Sequence, residues 1–292
     1  MLQIIRMLRP EQWVKNFFVF LPLFFGQEMT NKVAIIHTCI AFIAFSLISS
    51  SIYCFNDIID IEADKLHPRK KHRPLASGKL SKTTGWISLI VCAMLSFLIS
   101  FLNKDSHNMF PIIIISYFLL NISYTIKLKR YVIVDVFVIA INFVLRLVSG
   151  SVTAGVTLSH WIVMMTFLLA LFLAFAKRRE DVLFFENTGV KSRANISRYN
   201  IPFLNSVLSI LAAVTIVSYL MYTVSPEVIE RFNSPYIYLT SIFVIAGILR
   251  YLHLTQVHEQ SGSPTKILLK DRFIHFTIVG WIASFVVLIY FR

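Results

Sequence analysis

Charge is scarce in this 292-residue chain: only 15% of its residues are Asp, Glu, Lys or Arg, 57% are hydrophobic, and the mean hydropathy is +0.71. That balance excludes a soluble globular domain and describes an all-α, polytopic membrane protein. Cysteine is nearly absent as well. Cys39, Cys54 and Cys92 have no paired spacing, so neither a disulfide framework nor a zinc site is expected, and they read as small apolar residues. No tandem repeat, low-complexity linker or soluble stretch interrupts the pattern, so a single membrane domain is expected over residues 1–292. No small-residue cleavage site stands near Gly26, which argues against a removed signal peptide. Nucleic acid is a poor partner despite a net charge of +13, because no soluble basic domain carries that charge.

What is present is a series of apolar runs of spanning length, about 20 residues each. Eight lie near residues 33–55, 83–102, 109–126, 131–150, 161–176, 203–224, 235–249 and 273–291. A shorter ninth, Trp13 to Gly26, carries Lys15 and Pro22. With nine spans, twenty-three of the 28 Lys and Arg residues fall on one face, which the positive-inside rule makes cytoplasmic. The N-terminus is then inside the cell and the C-terminus outside. Residues 1–12 mix Leu2, Ile4, Ile5, Met7 and Leu8 with Arg6 and Arg9, which suits a short helix lying in the interface.

The rare charges gather in one stretch, residues 56–82, which begins NDIIDIEADKLHPRKKHRPLASG. Asp57, Asp60 and Asp64 are spaced i, i+3, i+7 and share one helical face, with Asn56 at its margin. Carboxylates stacked this way repel one another unless a cation sits between them. Oxygen ligands without His or Cys suit Mg²⁺, and the downstream Arg69 and Arg73 suit anionic phosphate oxygens. The bland alternative is a solvated loop whose charges only set topology.

Further along, Asp135 and Arg146 lie inside an apolar span, where ionisable groups are candidates for function. They share a face with Asn142 but stand about 16 Å apart along a helix, so each needs another partner. That partner is either a metal and phosphate in a cavity or polar groups on other spans. Lys15 and Asn16 read on their own as an interfacial anchor beside Trp13. Tyr124 and Lys129 close the fourth span at its cytoplasmic boundary, and Lys177 and Arg178 read on their own as a charged flank to the sixth.

The order N-D-x-x-D-x-x-x-D followed by R-x-x-x-R-P-x-x-S-G resembles the first signature of the UbiA superfamily of intramembrane prenyltransferases. Asn56, Asp57, Asp60, Asp64, Arg69, Arg73, Pro74, Ser77 and Gly78 carry it. Aromatic-acceptor members usually have a second D-x-x-x-D motif, whereas here Asp135 has Tyr131 and Ile139 at the matching offsets. R-P-x-Q-W-V-K-N at 9–16, Tyr124 to Lys129, Asp135 to Gly150 and the run from Lys177, similar to a K-R-R-x-E motif, instead look like the polyprenyl-phosphate (decaprenyl-phosphate-type) phosphoribosyltransferase branch. The resemblance covers nearly the whole chain.

It implies a UbiA-like helical bundle around a central cavity open to the cytoplasm and the bilayer of the cell (inner) membrane. It also implies Mg²⁺ on Asp57, Asp60 and Asp64, with phosphoribosyl pyrophosphate and a polyprenyl phosphate as substrates. Lys15, Asn16, Lys129, Arg146, Lys177 and Arg178 become candidates for phosphate contacts, with Asn56, Tyr124 and Asn142 around the site and Asp135 on a second metal or a ribose hydroxyl. Prenyl transfer from a diphosphate to a small acceptor is the alternative within the superfamily. A transporter is the alternative outside it, and it lacks the matched helix breaks expected of internal repeats.

Overall fold

A computed structural model describes residues 2–68, 70–103, 109–190, 195–257, 267 and 270–290. Every regular element in it is helical, and seven helices among the described residues are long and apolar enough to cross a membrane. Arg272–Leu288 is apolar but shorter, and the first expected span is wound differently, as described below, so length and apolarity support seven of the nine expected crossings. The chain forms two compact units, Met1–Ser159 and His160–Arg292.

In the first unit, α1 (Leu2–Leu8) buries Met7 and exposes Leu2 and Ile5. It is shorter than the interfacial helix expected over residues 1–12. Arg9 takes a left-handed conformation, φ 53 and ψ 60, and Pro10 cannot donate to the helix before it.

Pro10–Phe20 then forms a 3-10 helix of 11 residues, continued by α2 (Leu21–Phe25). The tighter winding rises ~2.0 Å per residue, so these two pieces reach ~30 Å, close to a hydrocarbon thickness, in fewer residues than an α-helix needs.

This segment lies against α3 (Lys32–Ile59), a helix of 28 residues on which α5 (Lys82–Leu102), α6 (Met109–Ile126) and α7 (Val134–Ala154) also pack. Asn31 starts α3 by accepting hydrogen bonds from the backbone N–H groups of Val33 and Ala34, at 3.1 and 3.3 Å, and Ser81 caps α5 at Thr84 N, 3.1 Å.

The contact between the 3-10 helix and α3 is in register. Trp13 Nε1 donates to Ser50 Oγ at 3.0 Å, and Asn16 Nδ2 donates to Ser46 Oγ at 3.1 Å. Three 3-10 residues and four α residues each advance ~6 Å, so side chains three apart on one helix meet side chains four apart on the other. Small residues let this packing close. Ala41, Ala44, Phe45, Ile48 and Val19 share one core cluster, and a Cβ on Gly150 of α7 would stand 1.9 Å from the carbonyl oxygen of Val19. The outward side of α5 presents Ile87, Met94, Leu98 and Phe101 to the surroundings, as a lipid-facing helix does.

The second unit holds α8 (His160–Thr188), α9 (Ile201–Val224), α10 (Pro226–Phe232), α11 (Ser241–Gln256) and α12 (Arg272–Tyr290). Arg179 of α8 ties three of them together: its Nε donates to Asn205 Oδ1 of α9 at 2.7 Å and its Nη1 to the carbonyl of Thr255 on α11 at 2.5 Å. Trp281 Nε1 donates to Tyr219 OH at 2.7 Å, which binds α12 to α9.

Candidate functional site

The acidic stretch starts in the last turn of α3. The helix is interrupted at Asp60, φ −95 and ψ 11, and resumes as α4 (Ile61–Leu66). The i→i−4 bonds from Asp60 N to Asn56 O (2.9 Å) and from Asp64 N to Asp60 O (2.8 Å) survive the break. Asp57 and Asp64 are buried, at 1% and 2% exposure, while Asp60 is half-exposed.

Each carboxylate is met by a cation from another part of the first unit. Arg73 Nη1 donates to Asp64 Oδ2 at 2.6 Å and stands 3.2 Å from Asp57 Oδ1. Arg9 donates through Nη2 to the same Asp57 Oδ1 and lies over the ring of Tyr53, 5.1 Å from its centre. Lys129, in the short 3-10 turn after α6, places Nζ 2.8 and 3.1 Å from the two oxygens of Asp60. Asp57 Oδ2 is buried and has no hydrogen-bond partner among the described residues.

That last oxygen bears on the expected metal. No group of three or more His, Cys, Asp or Glu residues is arranged to hold an ion among the described residues. The donor chemistry nonetheless fits a hard divalent cation. All the candidate ligands are oxygens, and one of them is buried, anionic and uncommitted, with Asp64 beside it through their shared guanidinium.

Deeper in the unit, a polar network crosses the apolar interior. Arg146, 4% exposed, donates from Nε to Asn16 Oδ1, from Nη1 to the Asn142 carbonyl and from Nη2 to Tyr117 OH, each at 2.8 Å. The rings of Tyr117 and Phe143 lie 5.0 and 5.3 Å from its guanidinium carbon. Asn142 and Asn121 exchange amide hydrogen bonds at 2.8 and 3.2 Å between α7 and α6. Thr125, one turn further along α6, bonds the side chain of Asn56 and the carbonyl of Asn121, the latter at 2.9 Å. This network joins Asn16, Asn142 and Arg146 to one another and reaches Asn56 next to Asp57. It takes the second of the two partnerships expected for Arg146, polar groups on other helices.

The remaining expected residues fall as follows. Lys15 is half-buried on the 3-10 segment, and Tyr124 is half-buried in the last turns of α6. Asp135 is fully buried in the first turn of α7, just after Ile133, whose φ of 71 is uncommon for a β-branched residue. Lys177 and Arg178 belong to the second unit. Lys177 pairs there with Glu180 at 2.5 Å and Asp181 at 3.6 Å, and the fully buried Arg178 stands 3.3 Å from Asp181. Arg69 lies outside the described residues, as do Ser263, Pro264, Thr265 and Lys266 of the last polar loop.

The sequence reading did not pair Arg9 with Asp57, saw Asn121 only as part of the polar end of the fourth span, and passed over Tyr117 and Thr125. Tyr117, Asn121 and Thr125 had a visible signal: spaced i, i+4, i+8, they form a polar line along an otherwise apolar helix.

The pattern of the UbiA prenyltransferase family matches residues 17–287. The chain belongs to that family. Among curated relatives of this UbiA-family chain, the decaprenyl-phosphate phosphoribosyltransferase of Corynebacterium glutamicum is 31% identical over 98% of this chain and 86% of the relative. The enzyme of the same name from Mycolicibacterium smegmatis is 29% identical over 99% and 92%. A solved UbiA homolog from Archaeoglobus fulgidus, described as bound to GPP and Mg²⁺, shares the fold with a TM-score of 0.73 at 21% identity, covering 98% of this chain and 99% of that one. The UbiA-family protein is a membrane-embedded transferase.

Proposed function

We propose that this UbiA-family protein transfers a phosphoribosyl group from phosphoribosyl pyrophosphate to a polyprenyl phosphate and releases pyrophosphate. One observation carries the reading: Asp57 has a buried oxygen uncommitted among the described residues, while its other oxygen meets Arg9 and Arg73 and the adjacent Asp60 meets Lys129. Near-full-length similarity to two decaprenyl-phosphate phosphoribosyltransferases supports the donor and acceptor classes.

Breaking the C1–O bond to pyrophosphate puts negative charge on the leaving group and oxocarbenium character on ribose. Asp57, with Asp64 and Asp60 nearby, would hold Mg²⁺, which supplies charge neutralisation of the diphosphate when bound. The residues of the chain do the rest. Arg73 and Lys129 offer donors to phosphate oxygens at the mouth of the site. Asn56 is held in orientation by Thr125. Arg146 braces the 3-10 helix, α6 and α7 so that these groups keep their spacing. A lipid phosphate is already an anionic nucleophile, so no general base is required, and positioning contributes much of the rate. The lipid chain lies along the exposed apolar faces of the helices in the bilayer. The site faces the cytoplasm, where the positive-inside count puts residues 56–82.

Purified protein given Mg²⁺, labelled phosphoribosyl pyrophosphate and a polyprenyl phosphate is expected to form a labelled lipid and one pyrophosphate per turnover. Product only from a prenyl diphosphate and a small acceptor overturns the reading in favour of prenyl transfer. The GPP-bound Archaeoglobus fulgidus homolog is the observation that keeps that second reading in view.

A further inference from the structure

The two oxygens of Asp57 are used unequally. Among the described residues, Oδ1 accepts from both Arg9 and Arg73, and Oδ2 accepts from nothing although it is buried. The two arginines are also unequal. Arg73 is shared between Asp57 and Asp64, so losing one carboxylate leaves it the other. Arg9 has Asp57 as its ion-pair partner among the described residues and the Tyr53 ring beneath it, and its side chain is 20% exposed against 1% for Asp57. Its backbone is left-handed immediately before Pro10, a conformation unfavourable for a side-chain-bearing residue at a pre-proline position.

Electrostatics gives this inequality a consequence. The described carboxylates Asp57, Asp60 and Asp64 are balanced by Arg9, Arg73 and Lys129. A divalent cation accepted by Asp57 weakens that carboxylate's hold on a neighbouring guanidinium and repels it. Arg9, with a single carboxylate contact among the described residues, is the one displaced, and its part-exposed guanidinium is then available to an entering diphosphate.

Building on the function proposed above, we infer that Arg9 exchanges partners, from Asp57 to a diphosphate oxygen of the donor, and so couples cation binding to donor binding. Arg9 is then a donor-binding residue as well as a brace for Asp57. The exchange makes no covalent bond and moves no proton, since a guanidinium stays charged throughout.

The test uses the full chain in detergent with Mn²⁺ as the metal probe, followed by the electron paramagnetic resonance signal of the free aqueous ion, and inorganic pyrophosphate as the anion probe. Arg9→Asn removes the charge and keeps a side chain that tolerates φ near +50. Arg9→Lys keeps the charge. Arg9→Asn is expected to bind Mn²⁺ alone at least as tightly as the parent, by roughly threefold, and to bind pyrophosphate in the presence of Mn²⁺ about tenfold more weakly. Arg9→Lys is expected to stay within about threefold of the parent on both measures.

A brace with no role in exchange gives the opposite pattern: Arg9→Asn weakens Mn²⁺ binding, or leaves pyrophosphate affinity unchanged, and either result overturns the inference alone while the parent still transfers phosphoribosyl groups. A parent protein that binds neither probe overturns the proposed function and this inference with it.

Discussion

Arg146 donates from Nε to Oδ1 of Asn16 at 2.8 Å, across 130 positions of sequence. The bond fastens the 3-10 helix Pro10–Phe20 to α7, and Arg146 spends two more of its donors on Tyr117 and on its own helix. Replacing Arg146 by Met would leave Asn16 Oδ1 without its buried donor and Tyr117 OH with only Ser49 Oγ, at 3.2 Å. A loss of about 2–4 kcal/mol is expected, from hydrogen bonds to a charged group at roughly 1.5–3 kcal/mol each. Thermal unfolding in detergent would read this as a drop of several degrees. An unchanged midpoint with abolished turnover would mean that Arg146 acts on ligand and not on the frame.

Arg73 serves Asp57 and Asp64 with one nitrogen. Lysine keeps the charge but lacks the planar fork and reaches from a single ammonium. Arg73→Lys is expected to lower kcat/KM roughly tenfold or more, and Arg73→Ala further, with folding retained because the residue is only half-buried. Steady-state kinetics with donor varied would check it; an Arg73→Ala enzyme at parental kcat/KM would remove Arg73 from the site.

Two glycines of the first unit differ in what a methyl group would meet. At Gly150 the obstacle is the Val19 carbonyl at 1.9 Å, which is backbone, and at Gly85 it is the Ile58 side chain at 3.1 Å, which can move. Gly150→Ala is therefore expected to abolish stable folding or cost several kcal/mol, and Gly85→Ala to cost less than about 2 kcal/mol. Yield and melting temperature of the two purified variants would separate them; equal behaviour would contradict the close approach.

Asp271 accepts from Arg250 Nη2 at 2.9 Å and from the backbone N–H of Ile274 at 2.9 Å, and these bonds, the arginine first, lower its pKa below the ordinary 3.8. A carboxylate depressed by folding stabilises the native state fully above its unfolded pKa, and that contribution disappears as pH falls through the lower native value. Asp271→Asn is expected to melt below the parent at pH 6–7, with the difference closing below about pH 4. A gap that stays constant down to pH 3 would show that the ion pair is not its source.

The hydropathy pattern made the membrane-spanning helices legible, since a span is a property of composition over some 20 residues. Asn142 and Arg146 were legible for a related reason, since a polar group in an apolar run is conspicuous, and Asp57, Asp64 and Arg73 because they stand in the one charge-dense stretch of the chain. The break at Asp60 was not, because three acids at i, i+3 and i+7 are compatible with an unbroken helix and the cations that meet them, Lys129 and Arg73, come from elsewhere in the chain. Arg9 was hidden by distance. Its link to Asp57 spans 48 positions and depends on the chain reversing at a left-handed residue, which no local spacing announces. The 3-10 winding of Pro10–Phe20 was equally silent, since helical pitch leaves no mark on a hydropathy count.

That winding restricts how the chain can change length. Between Trp13 and Asn16, deleting or inserting one residue turns everything beyond it by about 120°, which would swing Asn16 away from both Ser46 and Arg146 in a single mutational event. Point substitutions at the outward positions Val14 and Phe17 leave the phase untouched. The stretch is thus open to drift in composition but closed to frame-preserving indels of any size other than three.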